Sequence, residues 1–479
     1  MKKLIYYIIN IVLGLVFVQF ISSESTLTKL IGLGLIVIHL FIIFHIFHDQ
    51  FLFIVYLLCQ CTMGSSDKMG GIALAPLIVI LAYLLFKGKL FIRDKFIGFC
   101  LLILCTVNFL GYLLKNPSDT FDLLQGVIIF SGFVLTFIFI QNYKFSASNI
   151  KSLFHVLTFI SIILFIVALN QKYVFVDSSF FLLGTIPGYP SVSRVSVSYD
   201  GRFPSLFADY ELFSEFSLLM FILAFSVFMD KKSIGNYALG NTPFLLMVFS
   251  FMNILITGTR SGFILMFAFV FMFFVVRSGT LFTNKALLLF TILIIMVPVI
   301  INFGDLIGFD FLIERLNEID RSRLSVNSLV TGEQLNRSTV YAAGFNRLGE
   351  DNWILGYGYG VASANSHAWL GKIGALGIEF RDFHSLYLCI PMIYGWIGGV
   401  TYIVLILYSI SKIFRNYLRR DNEPVRGIAL GFAFILIFFM INQLKINSLR
   451  VYNYHFFIWI LLGIAISFSD YRKQVLKED

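Results

Sequence analysis

Residues 244–276 read FLLMVFSFMNILITGTRSGFILMFAFVFMFFVV, 33 residues with a single charge, Arg260. A helix needs about 20 apolar residues to cross a bilayer. The stretch is too long for one crossing and suits two, turning at Thr257-Gly258-Thr259-Arg260-Ser261-Gly262. Outward from this hairpin, apolar runs of similar length recur along the chain. They place spans at 4–21, 29–47, 51–62, 72–86, 96–114, 123–140, 152–169, 211–229, 243–258, 261–276, 286–301, 385–411, 427–443 and 452–468. The third is short and could be re-entrant. Composition agrees: 58% of the 479 residues are hydrophobic and 13% charged, against about 25% charged in a soluble domain. Mean hydropathy is +0.87, and that much apolar surface must face lipid. A membrane β-barrel would show short alternating segments instead. The expected fold is an all-α polytopic membrane protein of about fourteen helices.

Charge sets the expected topology. With the N-terminus inside and the spans alternating, the inside segments hold 20 of the 36 lysines and arginines, and the short outside segments hold six. The remainder lie in two long loops, which do not count toward the positive-inside rule. Both termini are thus expected in the cytoplasm. Five regions follow: N-terminal membrane helices (1–169), a first extracytoplasmic loop (170–210), central membrane helices with the Arg260 hairpin (211–301), a large extracytoplasmic loop (302–384), and C-terminal helices with a cytoplasmic tail (385–479). The net charge of +9 shows no basic stripe interleaved with aromatics, which argues against nucleic acid. Cys59, Cys61, Cys100, Cys105 and Cys389 all fall in apolar runs without metal-ligand or disulfide spacing. The N-terminal apolar run lacks a small-residue cleavage site and reads as a first span.

The loop 302–384 is longer than a connector requires, and such loops usually carry function. Residues 309–320 (FDFLIERLNEID) suit an interfacial helix. Residues 333–348 read as a second helix, with Thr331 as N-cap and Gly349 after its end. A glycine-rich stretch, Gly356 to Gly360, follows.

Four groups of residues could carry chemistry. Arg260 is costly at membrane depth, about 3 kcal/mol at the bilayer centre and less near the interface, so it is a functional candidate unless it snorkels to headgroups. Arg337 lies on the loop helix, where Tyr341, Gly344 and Leu348 share its face. A guanidinium fork there suits a phosphate or pyrophosphate, though a solvated surface arginine is the commoner case. Arg347 lies about a third of a turn round. His384, where the loop meets a span, could take a proton from a hydroxyl; His367 competes, and Asp382 is close in sequence. Asp209, Glu211 and Glu215 begin the eighth span. The two glutamates are one turn apart and could orient a sugar or act as a base, or could simply favour the helix start. No metal cluster, phosphate loop or serine elbow is present in the sequence, so no cofactor is expected.

The order of these motifs resembles the O-antigen polymerase and O-antigen ligase superfamily of bacterial envelope enzymes. The residues carrying the resemblance are ITGTRSG with Arg260, LNRSTVYAA with Arg337, NWILGYGYG, FHSLYL with His384, and YGWIGGVTYIVL. The segment 202–215 (RFPSLFADYELFSE, with Arg202, Glu211 and Glu215) and the spacing from Arg347 to Gly358 add to it. Where many relatives have asparagine after the histidine, this chain has Ser385. The resemblance implies a fold similar to the C-type membrane glycosyltransferases. It implies glycosyl transfer from an undecaprenyl-pyrophosphate-linked oligosaccharide at the outer face of the bacterial inner membrane. Arg260, Arg337 and His384 would be catalytic, and Arg347, Arg202, Glu211, Glu215 and Tyr341 would bind substrate. No metal is required if arginines supply the positive charge, and a chain-length regulator is an admissible partner. The expected activity is polymerisation of repeat units of a surface polysaccharide. An O-antigen ligase or a protein O-oligosaccharyltransferase are alternatives within the class. A lipid-linked oligosaccharide flippase is the alternative outside it, and would need charges in several span interiors.

Overall fold

The computed structural model describes residues 50–63, 94–115, 120–173, 203–207, 210–230, 237–278, 353–359, 372–373, 378–379, 385–418, 426–450 and 452–469, and positions 31, 34, 35, 38, 39, 92, 345, 346, 348 and 349. Ten long helices follow in chain order: α1 (Gln50–Met63), α2 (Lys95–Lys115), α3 (Thr120–Asn142), α4 (Ala147–Tyr173), α5 (Tyr210–Phe228), α6 (Thr242–Ile256), α7 (Arg260–Ser278), α8 (Leu386–Leu418), α9 (Arg426–Asn442) and α10 (Tyr452–Ser469). Each falls on one of the spans read from the sequence. One two-residue antiparallel pair, Lys372–Ile373 with Ile378–Glu379, is the strand structure among the described residues. The spans expected at 4–21, 72–86 and 286–301, and most of 29–47, lie outside the described residues.

Among the described residues, five helices are long and apolar enough to cross a membrane, and four shorter apolar helices accompany them. Their outward surfaces are apolar as well. Phe99, Leu102 and Leu114 on α2, Ile264 on α7, and Trp396, Val400 and Leu407 on α8 are all exposed. Rows of exposed large apolar side chains would be untenable in water and are ordinary against lipid. The chain is a multi-pass membrane protein.

α5 is the central helix. Beyond its first two turns it is largely apolar, which suits a helix with neighbours on every side, and it is buried along nearly its whole length. It packs against α6, α7 and α9, while α4 backs α6, α10 backs α3 and α2 runs along α8. Asn253 Nδ2 donates to Ser161 O (3.0 Å), tying α6 to α4. Asp94 caps α2 by accepting from the Phe96 N–H (2.9 Å). Its other oxygen takes the Tyr408 hydroxyl (2.9 Å) and Lys412 Nζ (3.1 Å) of α8. Burial would raise the Asp94 pKa, but these hydrogen bonds and the Lys412 charge prevail and hold it below the ordinary value.

The break between the two apolar helices falls at the turn read from the sequence. Pro243 sits in the first turn of α6, where it loses no helical hydrogen bond. After Thr257 the chain turns through Gly258 at φ 62°, a left-handed conformation that suits glycine, and α7 starts at Arg260.

The sequence reading leaves the glycine-rich stretch in the long loop; the structure draws residues 353–359 into the bundle. α8 is interrupted near Pro391, with Gly395 at φ 72° and ψ 172°. Proline cannot donate and the break frees further backbone groups. The inserted stretch takes them up: Tyr357 N–H donates to Met392 O (2.9 Å), Gly358 N–H to Ile393 O (2.8 Å), and Trp396 N–H to Trp353 O (2.6 Å). Tyr359 N–H donates to the buried Asn108 Oδ1 on α2 (2.6 Å). Irregular backbone at membrane depth persists only where protein satisfies it, and here two irregular segments satisfy each other. Gly356 makes the approach feasible, because a Cβ there would strike the Ile393 carbonyl.

Candidate functional site

The described polar groups concentrate where α5 and α7 begin and α9 ends. Glu211 and Glu215 occupy the first two turns of α5, and both are buried. Lys445, in the turn after α9, places Nζ 3.3 Å from Glu211 Oε1 and 2.5 Å from Ser261 Oγ. One lysine thus joins the start of α5 to the start of α7, beside Arg260. Ser214 and Thr259 share a hydrogen bond one turn along α5. The close approach depends on Gly262, since a Cβ there would collide with Ser214 Oγ. Arg260 itself is partly buried as the first residue of α7.

Glu215 is 1% exposed. Its carboxylate accepts from Asn442 Nδ2 (2.7 Å) and from Gln443 Nε2 (3.0 Å to each oxygen), and Tyr454 of α10 faces it as well. Gln443 Oε1 accepts from the Ser448 N–H (3.0 Å), so the acid organises the whole turn from 442 to 448. That turn receives the start of α8: Leu386 N–H donates to Gln443 O (3.0 Å) and Ile446 O (3.2 Å).

The structure therefore brings Glu211, Glu215 and the Arg260 turn to one end of the bundle. Arg337, Tyr341, Arg347, Arg202, His384, His367, Asp209 and Asp382 lie outside the described residues. Lys445, Gln443 and Asn442 were not singled out by sequence reading. INQLKINS ends a long apolar run in two amides and a lysine, but so do FIQNYK at 139–144 and ALNQKY at 168–173, so the pattern does not single out the site. A second buried polar group, His455, accepts from Trp459 Nε1 (3.0 Å). It directly follows Tyr454 and is packed among the rings of Tyr359, Tyr402 and Phe133.

Residues 245–403 match the family model described as O-Antigen ligase. No curated protein matches the chain. The matched stretch takes in the α6–α7 hairpin, the long loop, the glycine insertion and the broken part of α8. Members of that family are glycosyltransferase-like enzymes of envelope polysaccharide synthesis. Over this stretch, from the Arg260 hairpin to the interrupted helix, the chain is similar to the O-antigen ligase family and so to the O-antigen polymerase and ligase superfamily.

Proposed function

We propose that the protein is a polymerase that joins undecaprenyl-pyrophosphate-linked oligosaccharide repeat units into a surface polysaccharide, an O-antigen or capsule. The observation that carries this is the charged cluster where α5 and α7 begin and α9 ends, whose Arg260 turn lies within the matched stretch. In this reading the chain has fourteen spans and both termini in the cytoplasm of a bacterial cell. The loops 170–210 and 302–384 and the active site then face the periplasm, at the outer face of the inner membrane.

The chemistry breaks the bond between the donor sugar's anomeric carbon and its pyrophosphate oxygen, and forms one to an acceptor hydroxyl oxygen. The pyrophosphate leaves with the electron pair, and fixed cations near low-dielectric walls stabilise the charge it gains. Arg260 and Arg337 take that role. The acceptor proton goes to His384, which stands two residues before Leu386, the residue hydrogen-bonded to the 442–448 turn. Arg347, Arg202, Tyr341 and Glu211 bind the glycan or its phosphates. Glu215, enclosed by amides, positions the turn rather than touching sugar. The apolar hairpin holds the polyprenyl tail.

Complementation of a polymerase-deficient strain tests this. Wild type should restore a glycolipid ladder, and Arg260→Ala, Arg337→Ala and His384→Ala should abolish it at normal membrane levels. Deletion should leave lipid core bearing one repeat unit; bare core would indicate a ligase instead, and loss of glycan from proteins alone an O-oligosaccharyltransferase. Ladders made by the variants would remove the site assignment. The same gel reads the length distribution that a chain-length regulator would set.

A further inference from the structure

At the opposite end of α5 and α7, about 25 Å from Glu211 at 1.5 Å per residue, the helices enclose a second polar feature. A cleft of ≈ 40 Å³ is lined by Ser226, Asp230, Arg277, Tyr417 and Arg426, with Phe273 and Leu430 as apolar walls. At roughly 10–15 Å³ per water it holds about three waters, the bulk of a phosphate group. Among the described residues, two guanidiniums and one carboxylate line it, and Asp230 Oδ2 accepts from the Gly427 N–H at the start of α9 (2.9 Å).

Both arginines are held in place. Arg277 Nη1 donates to Met229 O (2.5 Å), and its guanidinium lies 5.9 Å from the Phe273 ring centre. Arg426 lies 4.8 Å over the Tyr417 ring and donates to the Tyr417 hydroxyl (3.3 Å). Ser226 supplies an independent pointer. It is 1% exposed, it lines the cleft, and its hydroxyl has no hydrogen-bond partner among the described residues. A buried hydroxyl left without a partner costs free energy, and an acceptor oxygen in the cleft would satisfy it. Phe228 and Phe271, on the two helices α5 and α7 that contribute to the cleft, are exposed apolar side chains.

We propose that this cleft binds a phosphate group, carried on the headgroup of an anionic phospholipid seated against the ends of α5, α7 and α9. Two forked cations, a hydroxyl donor and adjoining apolar walls match a phosphodiester above acyl chains. The site is separate from the charged end where glycosyl transfer is placed. If the topology above holds, it lies in the cytoplasmic leaflet.

The test uses the purified full-length chain in detergent, with phosphatidylglycerol, phosphatidylcholine or inorganic phosphate added separately. The readouts are the thermal unfolding midpoint and lipid retained in native mass spectra. Phosphatidylglycerol should raise the midpoint and be retained, and Arg277→Gln/Arg426→Gln should weaken its apparent affinity about ten-fold or more. Ser226→Ala removes only a hydroxyl without a partner among the described residues, so its lipid-free midpoint should equal wild type while its response to phosphatidylglycerol falls. This second variant guards against a double variant that merely folds badly. Equal effects of phosphatidylcholine and phosphatidylglycerol would overturn the proposal. So would an unchanged phosphatidylglycerol response in both variants. Protection by inorganic phosphate alone would overturn the lipid source.

Discussion

Lys445 joins α5 to α7, and its removal has a calculable consequence. Lys445→Met keeps most of the aliphatic stem but deletes the cation 3.3 Å from Glu211 and the donor to Ser261. At an effective dielectric of about 20, a pair at that separation attracts by about 5 kcal/mol before desolvation. Glu211 is 4% exposed at its side chain and Lys445 26%, so desolvation offsets much of this gain. Deleting the lysine does not restore water to the carboxylate, and the expected loss is about 2–3 kcal/mol. Glu211→Gln is milder, about 1–2 kcal/mol, because Lys445 keeps Ser261 and reaches solvent. The double variant removes both charges and should lie within about 1 kcal/mol of wild type, giving a coupling energy of about 3 kcal/mol. Unfolding in mixed dodecyl sulfate micelles, followed by tryptophan fluorescence, measures all four corners. A Lys445→Met loss below about 0.5 kcal/mol, the scale of surface substitutions, would refute the reasoning. So would strictly additive variants.

Other expectations follow from particular contacts. Gly395→Ala should be severe, since it adds a Cβ at φ +72° that meets the Ile354 carbonyl, whereas Gly240→Ala at φ +56° meets nothing. The strain alone costs about 1–2 kcal/mol; monodisperse yield by fluorescence-detected gel filtration should fall sharply for the first and little for the second. Gly262→Ala should separate α5 from α7 and break the Ser214–Thr259 hydrogen bond. A loss of about 1–3 kcal/mol is expected from overpacking, read in the same micelle titration. Asp94 holds its proton less tightly in the folded chain than in the unfolded one. Its ionised form therefore adds stability above the unfolded pKa of about 3.9, and that contribution fades as pH falls through the lower folded value. Asp94→Asn should flatten the unfolding midpoint across this acid window and lower it at neutral pH.

The helices were legible because lipid imposes a local rule. A crossing must satisfy its own backbone and offer lipid about 20 apolar residues, so spans such as 243–258 and 261–276 announce themselves in one dimension. Arg260 stood out for the same reason, as a lone charge in a 33-residue apolar stretch. Glu211 and Glu215 could be seen as a pair one turn apart, but not their occupations. Lys445 reaches Ser261 across 184 positions and Gln443 reaches Glu215 across 228, and no local pattern encodes which distant acid a lysine or amide will meet.

The glycine stretch divides the two kinds of information most clearly. From its residues alone, GYGYG marks a glycine-rich stretch and 385–411 reads as a single span; the interruption at Pro391 and Gly395 is seen only in the structure. That these two irregularities fit one another was decided by tertiary packing. Each leaves backbone donors or acceptors that water cannot reach, and only their juxtaposition pairs Tyr357 and Gly358 N–H groups with the Met392 and Ile393 carbonyls. By itself the sequence determined that this chain lives in a membrane, where the described apolar helices fall along it, and which arginine is out of place there. The tertiary structure decided which charges meet and how the broken helix is sealed, because those depend on burial and distance between segments that the chain order keeps far apart.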